Sequence, residues 1–339
     1  MGEPTMSDDL PQEFEEEYYQ INSDILQSFN KFRPPLNIYR FREDVGRIIL
    51  YYKVGERLAK EQTEELAEMV DQGVIFVSRD DHSVYVKHIS HQLDLVLLDK
   101  HLLEREIADI FQIALTRRMQ AFFEQPVKIV YDKVQEDVFT LTEYLWQDFS
   151  RIKALARRRH ADHCLANHSV NSGFTGLLLH ILRLAGDYNK EPKNRQPFDR
   201  TALGFFLHDM GMSKVPAFIR DKTKPLTPDE RQKIQTHTLS GYEMIARLDI
   251  KYPEMENCVN HHHERVDGSG YPQHISASGI SDIGLVCAVA DSFCAMTSNR
   301  PYAKAMDPMA ASKALCDDSK RYSTEITNLL LNHMVNERR

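Results

Sequence analysis

The sequence predicts a mainly α protein in which an all-helical C-terminal domain follows a small α/β module. Three observations lead there. Apolar residues recur at helical spacing across residues 101–158. Helical patterns dominate again over residues 159–339, where the polar chemistry is also densest. Apolar runs rich in β-forming residues occur only within residues 36–100.

In order along the chain, residues 1–35 are acidic and punctuated by Pro4, Pro11, Pro34 and Pro35. That composition predicts a partly disordered N-terminus with a short helix around Phe14 to Phe29. Ile48-Ile-Leu-Tyr-Tyr52 reads as a strand ended by Gly55. Lys60 to Asp71 reads as a helix with Leu66, Met69 and Val70 on one side, closed by Gly73. Val74-Ile-Phe-Val77 reads as a second strand, and Asp80 or Asp81 as the cap of a helix containing Val84 and Tyr85. The module of residues 36–100 holds no cluster of catalytic residue types, which points to regulation, sensing or protein interaction.

In residues 101–158, Leu103, Ile107, Ile110, Phe111 and Ala114 share one face, and Val127, Val130, Val134 and Val138 another. Pro126 separates the two helices. They would connect the domains and could support a homodimer. Arg157-Arg-Arg159 is expected at a solvated helix end. Asp187 to Arg200 lacks apolar periodicity and is expected as a surface loop.

The bulk numbers exclude several functions. With 339 residues, 42% hydrophobic and 27% charged, the chain has an ordinary globular composition. A net charge of −8 argues against a DNA-binding role. No apolar run approaches the roughly 18 residues of a membrane helix. The acidic N-terminus shows no secretory pattern. Cys164, Cys258, Cys287, Cys294 and Cys316 are odd in number and contain no C-x-x-C pair, which suits reduced, mostly buried thiols. The expected location is cytoplasmic.

The chemistry concentrates at His261-His262-His263, followed by Glu264, Arg265 and Asp267-Gly-Ser-Gly-Tyr-Pro272. No packing requirement sets three imidazoles side by side, whereas divalent metals favour imidazole. Other candidate ligands are His168, the pair His208-Asp209 after the apolar run Leu203-Gly-Phe-Phe-Leu207, His237, and Asp291 after Leu285-Val-Cys-Ala-Val-Ala290. A carboxylate beside such a buried run is costly unless it is paired or metal-bound. Adjacent His and Asp can serve neighbouring metals, the arrangement used for phosphoester cleavage.

Together these stretches resemble the HD-GYP family of HD-domain metallophosphohydrolases. The resemblance rests on His208-Asp-Met-Gly211, Pro225-Leu-Thr227, His237 with Gly241, His262-His-Glu-Arg265, Asp267-Gly-Ser-Gly-Tyr-Pro272, Asp291 and Arg300-Pro-Tyr302. It implies an HD-type helical domain over about residues 160–320. It also implies hydrolysis of cyclic di-GMP, or a related cyclic dinucleotide, to the linear dinucleotide pGpG or to GMP. The implied ligands are His168, His208, Asp209, His237, His262, His263 and Asp291, holding two divalent ions. Asp209 would bridge, with His168, His208 and Asp291 on one ion and His237, His262 and His263 on the other. A water shared between the ions would act as hydroxide at neutral pH. Iron is expected, with manganese or zinc as alternatives on this nitrogen-rich donor set. His261 is left outside the ligand set.

Two positions depart from the family pattern. Members with a third metal carry a Glu four residues before the first His. Cys164 stands there, read as a small buried apolar residue in preference to a thiol standing in for the carboxylate, so two metals are expected. The family's lysine after His-Asp is replaced by Met212, which leaves Lys214 as the candidate catalytic cation. Lys214, Arg300, Lys304 and Tyr271 are the candidate substrate contacts. The loop Gly270-Tyr271-Pro272 is also a candidate contact for a signalling partner. The competing reading is a weakly active or inactive receptor for a cyclic dinucleotide.

Overall fold

A computed structural model describes residues 17–21, 23–90, 92–97, 102–184, 186–300 and 303–337. The acidic residues before Glu17, the start of the helix expected from Phe14, and Pro301 and Tyr302 lie outside them. The chain divides into two compact units, residues 1–114 and 115–339.

The first unit is built on an antiparallel four-stranded sheet. Its strands are β1 (Tyr18–Gln20), β2 (Ile38–Arg42), β3 (Arg47–Tyr52) and β4 (Ile75–Ser78), in the order β1-β4-β2-β3. Helices α1 (Ser23–Ser28), α2 (Lys60–Asp71) and α3 (His82–Ile89) accompany the sheet. β2 and β3 form a hairpin whose turn contains Gly46 at φ 58°, a conformation that costs glycine nothing. α2 has the bounds its periodicity predicts and buries Leu66, Met69 and Val70. β4 is buried along its whole length, as expected of an apolar run at the centre of a sheet.

Two expectations need correction in this unit. Where a short helix is expected around Phe14 to Phe29, the described residues form a helix over Ser23–Ser28 and, before it, the strand β1, whose Tyr18 to Gln20 pair with Ser78 to Phe76. That pairing partner lies far along the chain, so no local pattern signals it. Asp80 and Asp81 lie in a short 3-10 turn, Arg79–Asp81, that leads into α3 and is capped by Ser78, whose hydroxyl accepts from Asp80 N. Asp81 instead accepts from Asn37 N and Nδ2.

The unit boundary falls within α4 (Glu104–Glu124). α5 (Lys128–Gln147) follows Pro126, as predicted, then the short α6 (Ile152–Ala156). The central helix of the second unit is α7 (Leu165–Arg183), which packs on α8 (Arg195–Leu207) and α13 (Asp282–Met296). Its small residues make this possible. A Cβ on Gly173 would sit 2.4 Å from the Phe206 ring, and one on Gly176 would sit 2.7 Å from Phe205. Beyond α8 come α9 (Ala217–Arg220), α10 (Pro228–Gln235), α11 (His237–Arg247) and α12 (Pro253–His261). After α13 follow α14 (Pro308–Asp317) and α15 (Thr324–Glu337).

The expected loop of residues 187–200 is corrected too. Helix α8 already begins at Arg195. Arg195 donates to Asp199 at 2.8 Å and to Glu143 of α5 at 2.6 Å, while Phe198 is buried against Trp146. The helical start is thus held from another element. None of the helices among the described residues is long and apolar enough to cross a membrane.

Candidate metal centre

Five helices deliver the candidate ligands to one place. His168 lies on the first turn of α7, and His208 and Asp209 follow the end of α8. His237 opens α11, His262 and His263 follow α12, and Asp291 sits within α13. α8 stops at His208, and Asp209 leads a short 3-10 turn, Met210–Lys214. That turn lies directly against the start of α11, because a Cβ on Gly211 would fall 1.9 Å from the His237 carbonyl oxygen.

Three of the imidazoles are oriented in the same way. Nδ1 of His208 lies 2.9 Å from the Phe205 carbonyl, that of His237 2.7 Å from Ile234 O, and that of His262 2.9 Å from Cys258 O. A carbonyl only accepts, so each Nδ1 carries a proton and, in the neutral ring that a metal takes, each Nε2 presents a lone pair; burial works against charge at His237, but Asp209 beside it outweighs burial and raises that ring above its ordinary value. These lone pairs converge. Nε2 of His237 and His262 are 3.0 Å apart, and His208 Nε2 is buried without a hydrogen-bond partner among the described residues. Facing lone pairs in a buried site are stable only around a shared proton or a metal cation. The donor set therefore fits divalent metal.

The carboxylates divide the cluster. Oδ1 of Asp209 faces Nε2 of His237 at 3.2 Å and of His262 at 3.5 Å. Its Oδ2 faces His168 at 3.6 Å and His208 at 3.8 Å. Two groups result: Asp209 with His237, His262 and His263, and Asp209 with His168 and His208, the donor atoms in each lying within 4.8 Å of one another. Asp291 repeats the division. Its Oδ1 lies 3.0 Å from His168 Nε2 and 3.9 Å from His208 Nε2, and its Oδ2 lies 3.7 Å from His263 Nδ1.

Burial pushes His208 down to about 4 and His263 well below its ordinary value, so both rings stay neutral near pH 7, as a ligand must. Burial alone would raise Asp291, but the hydrogen bond from His168 and the charges around it hold that carboxyl well below the usual range. Asp209 goes the same way, with the surrounding histidines outweighing burial.

The loop after α12 is tied back onto the histidines. Buried Glu264 accepts from Gln273 N at 2.6 Å and Ile275 N at 3.2 Å. Arg265 donates to the carbonyls of His262 and Glu264, at 3.1 and 2.8 Å, and closes the end of α12. Tyr271 stacks on His263 with ring centroids 4.6 Å apart. Burial and the nearby Asp291 raise its phenol, so the proton stays on. His261 points elsewhere, to Ser281 Oγ at 3.1 Å, and Ser281 caps the helix that carries Asp291.

The cluster opens into a cavity of about 720 Å³. His168, Asp209, His237, His263 and Asp291 line it, while His208 and His262 lie deeper. Of the predicted substrate contacts, Tyr271 and Arg300 line the cavity. Lys214 and Lys304 are exposed and are not among its lining residues, whereas Met212 is. Cys164 is not the buried apolar residue expected: it is exposed, lines the cavity and accepts from Asn167 N at the start of α7. A site at the first residue before a helix favours a group that can accept from the backbone. In the Gly270-Tyr271-Pro272 loop, Gly270 is buried and the other two are half-buried.

Sequence reasoning missed several cavity residues: Arg220, Lys222 and Arg265, and Gln120, Phe123 and Glu124 of α4. Arg265 was signalled by its place after the histidine run. The others carry no signal, since a charged residue on a helix or loop reads as solvated surface.

Residues 159–326 match the HD domain family. A cyclic di-GMP phosphodiesterase of Thermotoga maritima is 37% identical over 130 residues, covering 37% of this chain and 34% of that protein. The cyclic di-GMP phosphodiesterase response regulator RpfG of Xanthomonas campestris is 37% identical over 31% of this chain and 28% of its own length. A 3'3'-cGAMP-specific phosphodiesterase of Vibrio cholerae is 28% identical over 46% of this chain and 28% of that protein. The chain thus spans about a third of the length of these relatives. A solved HDG"Y"P protein from Bdellovibrio bacteriovorus shares the fold, with a TM-score of 0.60 at 16% identity over 94% of this chain and 99% of that one. Over residues 159–326 the chain is therefore an HD domain, the segment that carries its HD-GYP-like motifs.

Proposed function

We propose that this chain is a metal-dependent phosphodiesterase that hydrolyses cyclic di-GMP to linear pGpG or GMP. The observation that carries the reading is the convergence of three Nε2 lone pairs, of His208, His237 and His262, around a buried Asp209. The names of the relatives, cyclic di-GMP and 3'3'-cGAMP phosphodiesterases, support the substrate class.

In this reading His168, His208 and Asp291 hold one ion and His237, His262 and His263 the other, with Asp209 between them. When bound, two such ions supply Lewis-acid activation of water and neutralise charge on the phosphoryl oxygens. The nitrogen-rich donor set suits iron, manganese or zinc better than magnesium or calcium, and iron is the ion proposed. The protein's own groups orient the diester. Arg265 and Arg300 bring positive charge to the cavity, Arg220 and Lys222 also line it but are paired with Asp221 and Glu230, and protonated Tyr271 can donate to a phosphate oxygen. Lys214, exposed and off the cavity lining, is replaced in the proposed catalytic set by these cations.

The test is incubation of iron- or manganese-loaded protein, without oxygen, with cyclic di-GMP. Linear product is expected. Its absence under every metal loading would sink the proposal.

One observation favours a second reading. Met212 lines the cavity where the resemblance leads one to expect lysine. A receptor that binds the cyclic dinucleotide with little turnover would show affinity without product. Met212→Lys would then raise the rate by about tenfold or more.

A further inference from the structure

The cavity has a wall that the metal centre does not explain. Gln120, Phe123 and Glu124 line it from the last turn of α4, outside the segment matched to the HD domain. Their spacing of i, i+3 and i+4 puts all three on one helix face. Gln120 Nε2 donates to Glu124 Oε1 at 2.6 Å on the exposed side of the helix, and each carboxylate oxygen keeps an acceptor site for a further donor. Phe123 is half-buried beside it.

An aromatic ring next to a carboxylate is a poor phosphate site, since the charge repels the anion. It suits a planar base that stacks on the ring and offers hydrogen-bond donors at its edge. Guanine presents two adjacent donors, N1–H and the N2 amino group, which match the two oxygens of a carboxylate. Adenine presents one amino donor beside the bare lone pair of N1, which would face the carboxylate charge.

We propose that Phe123 and Glu124, with Gln120 as the positioning residue, form a guanine-reading subsite that selects guanine over adenine in a cyclic dinucleotide. This rests on the reading that the cavity binds such a ligand, and it assigns the choice of base to a helix outside the HD segment.

The test is equilibrium binding of cyclic di-GMP, 3',3'-cGAMP and cyclic di-AMP to the full chain. The wild type is expected to prefer cyclic di-GMP over cyclic di-AMP by about tenfold or more, because an unmatched polar edge is costly. Glu124→Gln should bring that preference below about threefold, since a carboxamide accepts and donates. Phe123→Ala should weaken all three ligands by about tenfold and keep the preference, because stacking tolerates any base. Equal binding by the wild type, or a Glu124→Gln variant with the wild-type preference, overturns the inference.

Hydrolysis of bis(p-nitrophenyl) phosphate by metal-loaded wild type separates this from the proposed activity, as that diester carries no base. Turnover of it without any base preference overturns the subsite alone. No turnover of any diester overturns the activity and leaves the binding ratios to decide the subsite. No binding of any of the three dinucleotides overturns both.

Discussion

At the scale of single residues, Asp209, like Asp291, spans the cluster, and it belongs to both groups of candidate ligands. Its two oxygens face different pairs of histidines, His237 and His262 on one side and His168 and His208 on the other. Replacing it removes the shared donor, so Asp209→Ala is expected to lose both ions. Metal analysis of protein purified without oxygen should show less than about a tenth of the wild-type content, with the helical circular dichroism retained. Gly211 acts by having no side chain. Gly211→Ala would drive a Cβ into the His237 carbonyl, and the clash should cost about 1–3 kcal/mol, read as a lower urea midpoint with metal content reduced. The ligand types were legible in the sequence, because three adjacent imidazoles and a carboxylate beside a buried apolar run have no packing reason to exist. Which oxygen faces which ring was not, since that depends on the ends of five helices meeting.

At the scale of elements, the local signals worked where the chain closes its own hydrogen bonds. α2 has the predicted bounds, and Pro126 separates α4 from α5. They failed where an element is held from elsewhere. β1 exists because β4 pairs with it, and the first turn of α8 is helical because Arg195 reaches Glu143. The α7–α8 contact belongs with these. Gly173 faces Phe206 so closely that Gly173→Ala should destabilise the second unit by about 1–3 kcal/mol, despite the helix-forming preference of alanine. A falling midpoint in denaturant titration would show packing prevailing over propensity; a rising one would show the reverse. The loop after α12 is a further case. Glu264→Gln leaves only one acceptor for the amides of Gln273 and Ile275, and should cost about 1–3 kcal/mol. Loss of the Tyr271–His263 stacking, followed by tyrosine fluorescence, would mark the loosened loop.

At the scale of the whole molecule, the two units should respond differently to metal. All the candidate ligands lie in the second unit. Ions that bind only its folded form stabilise it by mass action, on the order of 3 kcal/mol when free metal is about a hundredfold above the dissociation constant. Calorimetry with and without a chelator should shift the transition of the second unit and leave that of the first in place. A shift of both, or of neither, would contradict a metal centre confined to the HD segment.

The sequence by itself determined the helical class of the second unit, the residue types of the candidate metal centre and the family that the motifs resemble. Each of these is written in short-range spacing: helix periodicity, turn chemistry, and histidines placed where packing does not call for them. Tertiary structure decided the rest. It brought Arg220, Lys222 and Arg265 to the cavity, left Lys214 and Lys304 exposed and off its lining, and set Gln120, Phe123 and Glu124 along one wall. The physical reason is that a ligand site is defined by which surfaces face the same space. Charged and aromatic residues on a helix carry no local mark of the cavity they will face.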